Sequence, residues 1–384
     1  MSSEKDDLPI SLRLPLTLIW VGIACAIIFI AGAKVDQQTQ IMMAVIVVGM
    51  LFVLRWFDGS EIPRVVFLTL AGFLVVRYLI WRTMTTLTFH DTVSFSIAIA
   101  LYLAELFGVL SFFLGIFVNI RPKRNAPEPL PEDTSIWPTV DVYIPTYDES
   151  IRVLENTVHA AVQMKYPKDR FKVFLLDDGG TVQKLNQSDP VKSKTAANRV
   201  RELKELCEAT GATYRTREKN EHAKAGNLNA AFHETDGELI LILDADHVPA
   251  QDFLVNTTGR FLTNPKLFLV QTPHFALNPD PIEKNLRTFA HMPSEQEMFY
   301  NQVQFGIDSW GSSSFCGSAA VLRRSCLEEV GGICGETITE DAETSIELHS
   351  RGYESEYFGR PMIAGLAPQT LQAFIVQRSR WAVG

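Results

Sequence analysis

Long apolar runs dominate the chain up to about residue 120, whereas charged and apolar residues alternate after it. Four of these runs approach or reach the roughly 17–25 residues that a membrane-spanning helix needs. The first is not a cleaved signal peptide, because the preceding residues, SSEKDD, are acidic overall and further apolar runs follow. We therefore predict four transmembrane helices within residues 1–120, at 14–33, 41–57, 65–81 and 93–120.

The strongest basic cluster beside any of these runs is RPKRN at residues 121–125. Lysine and arginine beside a span favour the cytoplasmic side, so the chain after the fourth helix is predicted to be cytoplasmic. An even number of spans places the N-terminus on the same side. Residues 121–138 include five prolines and are predicted to form an extended linker to a cytoplasmic domain over residues 139–384.

One charged residue interrupts each of the third and fourth predicted spans. Glu105 lies near the middle of the fourth, where a carboxylate is costly. It is either paired or protonated inside the helix bundle, or it lines a water-filled path. Arg77 lies near the outer end of the third span, where its side chain can extend to the interface. Tyr78 and Trp81 beside it are predicted to form an interfacial aromatic belt.

Composition limits the function of the whole chain. The net charge of -9 argues against a general nucleic-acid-binding protein, which would present a basic face. The five cysteines form no C-x-x-C pair and are predicted to be reduced, as in a cytosolic setting.

After the linker, strands and helices alternate. The strand segments are long apolar runs, which indicates strands buried on both faces and a mostly parallel sheet covered by helices. Such α/β sheets bind ligands beyond the carboxyl ends of their strands. We predict strands at residues 140–145, 171–180, 212–217 and 238–247, and helices at 150–164, 192–210 and 223–233.

Two of these strands end in acidic residues. The run ILILDADH ends in Asp244 and Asp246, and two carboxylates there suit Mg²⁺, which is usually held by one or two carboxylates and substrate phosphates. The alternative is a pair of ordinary turn residues. The run FKVFLLDDGG ends in Asp177 and Asp178, which either accept hydrogen bonds from a base or ribose or form an Asp-Gly turn.

Later segments supply further candidates. Lys224 begins a predicted helix and suits an anion, unless it is simply solvated. Glu340 and Asp341 follow a candidate N-cap, Thr339, and are either partners of the helix dipole or include a general base. Cys316 is predicted to be a packed small residue.

The last segment, QRSRW, combines cations with an aromatic ring. One of Arg378 and Arg380 can reach a phosphate bidentately, and Trp381 offers a stacking face. The same segment also fits an amphipathic interfacial helix, with Leu371 and Phe374 on its apolar face, and both interpretations can hold together.

Four motifs follow one another after the apolar half: D-D-G, D-x-D, T-E-D and Q-x-x-R-W. In this order and context they resemble the processive membrane glycosyltransferases of family 2. PTYDE, HAKAGN, DADHVP, QTPHF, FCGSAAVLRR, ETITEDAET and IAGLAPQT narrow the resemblance to the bacterial cellulose synthase catalytic subunits. It covers the chain from about residue 137 to the end and, more weakly, the four preceding helices.

This resemblance implies a GT-A-type fold, with a mostly parallel sheet flanked by helices. It also implies processive, inverting, metal-dependent transfer of glucose from UDP-glucose to the 4-hydroxyl of a growing β-1,4-glucan. The implied location is the bacterial inner membrane, with a cytoplasmic catalytic domain. The implied partners are UDP-glucose, the glucan chain, membrane lipid and a periplasmic subunit, without nucleic acid.

The resemblance also assigns roles to single residues. Asp341 is implied as the general base that deprotonates the acceptor hydroxyl, with Trp381 and Cys316 near the acceptor sugar. Tyr147 and Asp177 would hold the uridine. The remaining implied residues are Thr146, Asp148 and Asp178 near the uridine, Lys224, Asp244, Gln377 and Arg380 around the diphosphate, Glu340 as a further substrate-binding group, and Asp244, Asp246 and His247 as ligands of Mg²⁺ or Mn²⁺.

Other functions fit the motifs less well. A synthase of another β-glucan, such as a β-1,3-glucan, stays open. Non-processive transfer onto a lipid phosphate is disfavoured by QRSRW, and a non-catalytic membrane channel or scaffold fragment by the presence of every implied acid and cation. Family members continue with further transmembrane helices, a gating loop and, in bacteria, a cyclic di-GMP-binding domain. We therefore expect a fragment, or one piece of a split protein.

Overall fold

The computed structural model describes residue 22 and residues 24–57 and 60–383. The chain divides into two compact units, Met1–Arg121 and Pro122–Gly384. In the described part of the first unit, three helices are long and apolar enough to cross a membrane, judged by length and composition. They are α1 (Gln37–Leu54, extended by a 3₁₀ turn, Arg55–Phe57), α2 (Glu61–Trp81, extended by a π-helical turn, Arg82–Thr86) and α3 (Thr92–Asn119).

These helices correspond to the second, third and fourth predicted spans. The first predicted span, residues 14–33, lies partly outside the described residues, and residues 24–32 are helical. Helices α1 and α3 begin where polar side chains cap them. Asp36 accepts from the Thr39 N–H at 3.0 Å, and Asp91 accepts from the Ser94 N–H at 2.9 Å.

The charged residues of the third and fourth predicted spans, Arg77 and Glu105, have partners. Glu105 Oε2 accepts a hydrogen bond from Arg82 Nε at 2.8 Å, which favours the structural pair among its predicted roles. Arg77 donates to Gln40 Oε1 at 2.9 Å and to the Ala31 carbonyl at 2.9 Å. Its guanidinium is therefore held by groups of the protein, and its extension to the interface stays a prediction.

The second unit is an α/β domain. Its strands are β1 (Val140–Thr146), β2 (Phe171–Asp177), β3 (Thr213–Arg215), β4 (Leu239–Ile242), β5 (Val248–Pro249), β6 (Leu267–Gln271), β7 (Ala320–Arg323), β8 (Glu354–Tyr357) and β9 (Ile363–Ala364). Its helices are α4 (Ile151–Val162), α5 (Val182–Leu185), α6 (Pro190–Thr210), α7 (Ala223–Phe232), α8 (Phe253–Thr257), α9 (Gly259–Thr263), α10 (Pro281–Leu286), α11 (Glu295–Met298), α12 (Gln304–Asp308), α13 (Arg324–Val330), α14 (Glu340–Ser350) and α15 (Leu371–Val383).

Seven strands form one sheet in the order β3-β2-β1-β4-β7-β6-β8. Only β7 runs antiparallel to its neighbours in this sheet; the other pairs are parallel. The mostly parallel sheet is therefore confirmed, with one reversed strand. Strands β5 and β9 form a separate antiparallel pair.

Hydrophobic clusters cover both faces of the sheet. Along β1, Val142 and Ile144 pack into one cluster and Tyr143 into the other, as the two-residue period of a strand requires. Leu154 and Leu228, from helices on opposite faces, complete the two layers. Because both faces are buried, the strand sequences show continuous apolar runs without alternation.

The acidic ends of the strands differ from prediction in one respect. Strand β4 ends at Ile242, five residues before the predicted end at residue 247. Beyond it the chain turns, and the His247 N–H donates to the Asp244 carbonyl at 2.9 Å. The Asp244 N–H donates to Ser318 Oγ at 2.8 Å and so leaves the ladder. Both carboxylates therefore stand on a turn beyond the strand.

Candidate active site

A cavity of about 630 Å³ lies beyond the end of β4. Its lining includes ten of the predicted site residues: Lys224, Asp244, Asp246, His247, Cys316, Glu340, Asp341, Gln377, Arg380 and Trp381. The other five do not line it: Thr146, Tyr147, Asp148, Asp177 and Asp178. They lie at or just after the ends of β1 and β2, which are neighbours because Thr146 pairs with Asp177 in the parallel register.

Lys224 and Asp244 form an ion pair in this cavity. Lys224 Nζ lies 2.5 Å from Asp244 Oδ1 and also donates to the Gly317 carbonyl at 2.8 Å. Burial lowers the pKa of Lys224, but the carboxylates of Asp244, Glu340 and Asp341 outweigh it and hold the pKa above its ordinary value. Burial raises the pKa of Asp244, but Lys224 and His247 bring it down to about 2. The pair is therefore charged.

Asp246 has a different environment. Its Oδ2 accepts a hydrogen bond from the Leu366 N–H at 3.1 Å. Burial and the charge of Asp244 raise its pKa, and Glu149 adds to this effect. Burial and like charge destabilise the ionised form of this carboxylate, and a nearby cation would stabilise it.

His247 is held by Ser318, which lies just before β7. Its Nδ1 lies 2.7 Å from Ser318 Oγ, and its ring centroid lies 4.7 Å from that of His274. Burial lowers the pKa of both histidines, to about 4 for His274. Both imidazoles are therefore neutral near pH 7.

The predicted three-ligand metal set is not assembled as such. Among the described residues, no group of three or more His, Cys, Asp and Glu side chains could hold a metal ion. Asp244 is paired with Lys224, and His247 is bonded to Ser318. The donors still fit a hard divalent cation shared with a substrate, because one or two carboxylates and phosphate oxygens suffice for Mg²⁺.

Asp341 and Glu340 lie in the first turn of α14, at the wall of the cavity. The predicted N-cap, Thr339, occupies that position but makes no side-chain capping bond. Gly317, at φ +75°, passes close to both charged groups: a Cβ there would lie 3.2 Å from Asp341 Oδ2 and 3.5 Å from Lys224 Nζ. Burial raises the pKa of Glu340.

Cys316 is a packed residue, as the sequence predicts. Its Sγ lies 3.1 Å from Gln304 Nε2, and burial together with the charge of Asp341 raises the pKa of the thiol well above its usual range. A neutral thiol is a poor nucleophile. Cys316 therefore contributes shape and contact to the cavity.

Helix α15 places the last motif at the cavity. Arg378, which lies between the predicted residues, reaches Glu295 at 3.1 Å. Its guanidinium lies 4.5 Å from the Trp381 ring centroid and 4.9 Å from that of Phe374. Gln377 Oε1 and Arg378 Nε are buried and have no hydrogen-bond partner in the described part of the chain. Buried polar atoms are usually hydrogen-bonded, so these two are candidates for contact with a substrate.

Asp177 is buried and hydrogen-bonded by groups of the protein. The residue is fully buried, and its carboxylate accepts from Gly179 N at 2.9 Å, Arg199 Nε at 3.0 Å and the Tyr214 hydroxyl at 2.9 Å. Both carboxylate oxygens are therefore bound by protein groups in this conformation, and the uridine contact by Asp177 stays a prediction. Asp178 is likewise engaged: Arg217 donates to its two oxygens at 2.7 and 2.8 Å.

The residues after β1 are organised by Glu149. Its Oε2 accepts from Thr146 Oγ1 at 2.7 Å and from the Tyr147 N–H at 2.7 Å. The Tyr147 ring is half-exposed, with Lys184 Nζ 3.5 Å from its centroid, and Asp148 is exposed. Sequence reasoning left out Glu149, although PTYDE contains it.

Comparison with known proteins places this site in a family. The family described as "Glycosyltransferase like family 2" matches residues 138–384, and the chain belongs to it. The cellulose synthase catalytic subunit [UDP-forming] of Pseudomonas fluorescens is 41% identical over 362 residues, 94% of this chain and 46% of that protein. The cellulose synthase 1 catalytic subunit [UDP-forming] of Komagataeibacter xylinus is 38% identical over 360 residues, again 94% and 46%.

The chain thus spans about half the length of the curated relatives it matches. The resemblance inferred from motif order is confirmed, as are the enzyme class of glycosyltransferases and the GT-A-type fold. Among solved structures, a mannosyltransferase from Pyrobaculum calidifontis in complex with GDP-Man and Mn²⁺ has a TM-score of 0.49 at 22% identity, covering 75% of this chain and 72% of that one.

Proposed function

We propose that this chain carries the catalytic domain of a processive, inverting membrane glycosyltransferase that transfers glucose from UDP-glucose to the 4-hydroxyl of a growing β-1,4-glucan. The proposal rests on one observation. The strand-end acids, the cation of α7, the acid of α14 and the aromatic ring of α15 meet in one cavity. The names of the relatives supply the expectation of glucose and of the β-1,4 linkage.

The diphosphate of the donor would be held from two sides. Lys224 approaches from α7 and is charged, because the acids around it raise its pKa. Gln377 and Arg380 approach from α15, and an arginine can bind phosphate oxygens bidentately. Gln377 Oε1, which has no hydrogen-bond partner among the described residues, also supports a ligand at this wall.

The carboxylates of Asp246 and Asp244, with His247 beside them, would hold a divalent cation, Mg²⁺ or Mn²⁺, together with the diphosphate. When bound, this cation supplies Lewis-acid stabilisation of the charge on the departing UDP. Asp246 is the better ligand of the two carboxylates, because Lys224 already neutralises Asp244.

Asp341 would act as the general base. It takes the proton of the acceptor 4-hydroxyl while that oxygen forms a bond to C1 of glucose, and the bond from C1 to the UDP oxygen breaks. A single displacement of this kind inverts an α-linked donor into a β-linked product. Gly317, which lacks a side chain, leaves the space between Asp341 and Lys224 open for the reacting groups.

The acceptor sugar and the uridine of the donor would be bound by different parts of the site. The Trp381 ring offers a stacking face for the acceptor sugar, with Cys316 and Glu340 on the same cavity wall. The exposed Tyr147 ring, with Thr146 and Asp148 nearby, would contact the uridine. We assign Asp177 and Asp178 to hold Arg199 and Arg217 in this part of the domain.

The apolar half would anchor the enzyme as a multi-pass protein of the bacterial inner membrane. We propose four spans within residues 1–120, a linker over 121–138 and a cytoplasmic domain over 139–384. The RPKRN cluster after the last of these spans supports the cytoplasmic side for the domain. Membrane lipid, the growing glucan and a periplasmic subunit are the proposed partners.

Linkage analysis tests the reaction. Membranes that contain the protein at its natural length would be incubated with UDP-[¹⁴C]glucose and Mg²⁺, and the polymer would be methylated and hydrolysed. We expect 4-linked glucosyl residues, and about 10²–10⁴-fold fewer from the Asp341→Asn variant. A 3-linked product would replace the proposed polymer by a β-1,3-glucan. Absence of UDP binding by the wild-type protein would instead support a non-catalytic scaffold.

A further inference from the structure

Arg217 follows β3 and connects the acidic end of β2 to the start of α7. Its Nε and Nη2 donate to the two oxygens of Asp178 at 2.7 and 2.8 Å. Its Nη1 donates to the Glu221 carbonyl at 2.7 Å, and Nη2 also donates to the Ala223 carbonyl at 2.9 Å. The side chain is 13% exposed, and its bonds to Asp178 are partly shielded from water, whereas the two carbonyl contacts are exposed.

The two carbonyls lie on either side of a strained turn. His222 and Ala223 have φ values of +56° and +42°, in the left-handed region that side chains with a Cβ rarely adopt. Only four non-glycine residues of the described chain have positive φ, and two of them are these neighbours. Such strain persists only where surrounding contacts hold it. Arg217 provides those contacts from both sides of His222.

The turn also packs closely against the first turn of α7. A Cβ on Gly226 would lie 2.0 Å from the Glu221 carbonyl oxygen and 2.6 Å from Arg217 Nη1. Glycine at this position is therefore required for the approach of both groups. The loop, the guanidinium and the helix form one packed unit.

Lys224 is the next residue after this turn, and its Nζ reaches Asp244 at 2.5 Å and the Gly317 carbonyl at 2.8 Å. We infer that Arg217, anchored by Asp178, is a positioning residue that fixes the turn at His222 and thereby directs Lys224 at the diphosphate site. This inference rests on the proposed function for the role of Lys224, and it gives Asp178 a task other than substrate contact.

A double-mutant cycle on UDP binding tests this role, measured by calorimetry with Mg²⁺ on the full chain. Arg217→Met should weaken UDP binding by about tenfold, because the loss of charge-assisted bonds releases the strained turn. In a Lys224→Met background the same change should have less than about a twofold effect, because there is no ammonium left to position. Asp178→Asn should behave like Arg217→Met.

Arg215→Met is the matched control. Arg215 lies two residues away, is 44% exposed and pairs with Glu234 at 3.0 Å on the surface. The Arg215→Met substitution removes the same charge and leaves the contacts of the turn intact, so UDP binding should stay within about twofold of wild type.

Equal losses from Arg217→Met in both backgrounds would overturn the inference, because a general weakening of the fold does not depend on Lys224. If Lys224→Met leaves UDP binding intact, the proposed donor site is wrong. The positioning role is then tested in the absence of ligand, by thermal unfolding of the four proteins of the cycle. Overlapping losses for Arg217→Met and Lys224→Met support the inference, and additive losses refute it.

Discussion

Lys224 Nζ lies 2.5 Å from Asp244 Oδ1, so the cation expected at the diphosphate neutralises one of the two carboxylates expected at the metal. The two acids of the D-x-D motif are therefore unequal. Asp244 has a depressed pKa and a permanent partner, whereas burial and the charge of Asp244 raise the pKa of Asp246. Asp246 is therefore the carboxylate that an additional cation would stabilise.

Replacing Asp246 should remove most of the metal dependence of donor binding. We expect Asp246→Asn to weaken UDP binding in Mg²⁺ by about tenfold or more, and to bring it close to the value measured in EDTA. Asp244→Asn is the comparison, since it also frees Lys224 for the phosphates and should cost less. Calorimetry with and without Mg²⁺ measures both. Unchanged Mg²⁺-dependent binding by Asp246→Asn would remove it from the metal site.

Replacing Asp341 should separate binding from turnover. Asp341→Asn keeps the shape of the side chain and removes the proton acceptor, so glucose incorporation should fall by about 10²–10⁴. UDP binding should persist, because Lys224 and Arg380 remain. If Asp341 were only a partner of the helix dipole, the change would cost roughly 0.3–1 kcal/mol in stability and leave turnover near normal. Paired calorimetry and incorporation assays distinguish the two roles.

The fold itself should depend on a buried ion pair far from the cavity. Arg324 and Asp141 are 9% and 2% exposed and lie 2.8 Å apart. Arg324→Met leaves the Asp141 carboxylate buried without its cation, at a cost of about 3–5 kcal/mol in the free energy of unfolding. Arg351→Met breaks an exposed pair with Glu347 of the same 2.8 Å length and should cost only about 0.3–0.5 kcal/mol.

Thermal or denaturant unfolding of the detergent-solubilised protein measures this difference. Similar losses for the two variants would show that the buried pair contributes no more than the surface pair.

The acids at the strand ends could be predicted because the signal is local. A buried strand, its end and the carboxylates after it all fall within about ten residues, as in ELILILDADH. The reversed direction of β7 could not be predicted in this way. Its apolar run resembles those of the parallel strands, since burial on both faces dictates composition and not direction.

The partners of those acids could not be predicted either. Asp177 is bound by Arg199, which is 22 residues away, and Asp178 by Arg217, which is 39 residues away. The sequence around D-D-G does not include these arginines. A carboxylate that is hydrogen-bonded within the protein therefore cannot be distinguished, from sequence, from one that binds a ligand. Ser318 is the same case, since it lies 74 residues from the Asp244 N–H that it accepts.

Gly317 offers a test of the geometry between base and cation. A Cβ at this residue would lie 3.2 Å from Asp341 Oδ2 and 3.5 Å from Lys224 Nζ, and φ is +75°. Gly317→Ala should therefore lower glucose incorporation by pushing the two charged groups apart, in addition to a backbone cost of about 1 kcal/mol. The assay is incorporation per folded protein, at saturating UDP-glucose.

Gly352→Ala separates backbone strain from the site. Gly352 has a similar φ of +84°, and no atom of the described chain lies within 4 Å of a Cβ built there. Both variants should lose similar stability, because both place a side chain in the left-handed region. Only Gly317→Ala should lose turnover, because only its added methyl group meets Asp341 and Lys224. Equal turnover in the two variants would mean that the space between these groups is not used by the reaction.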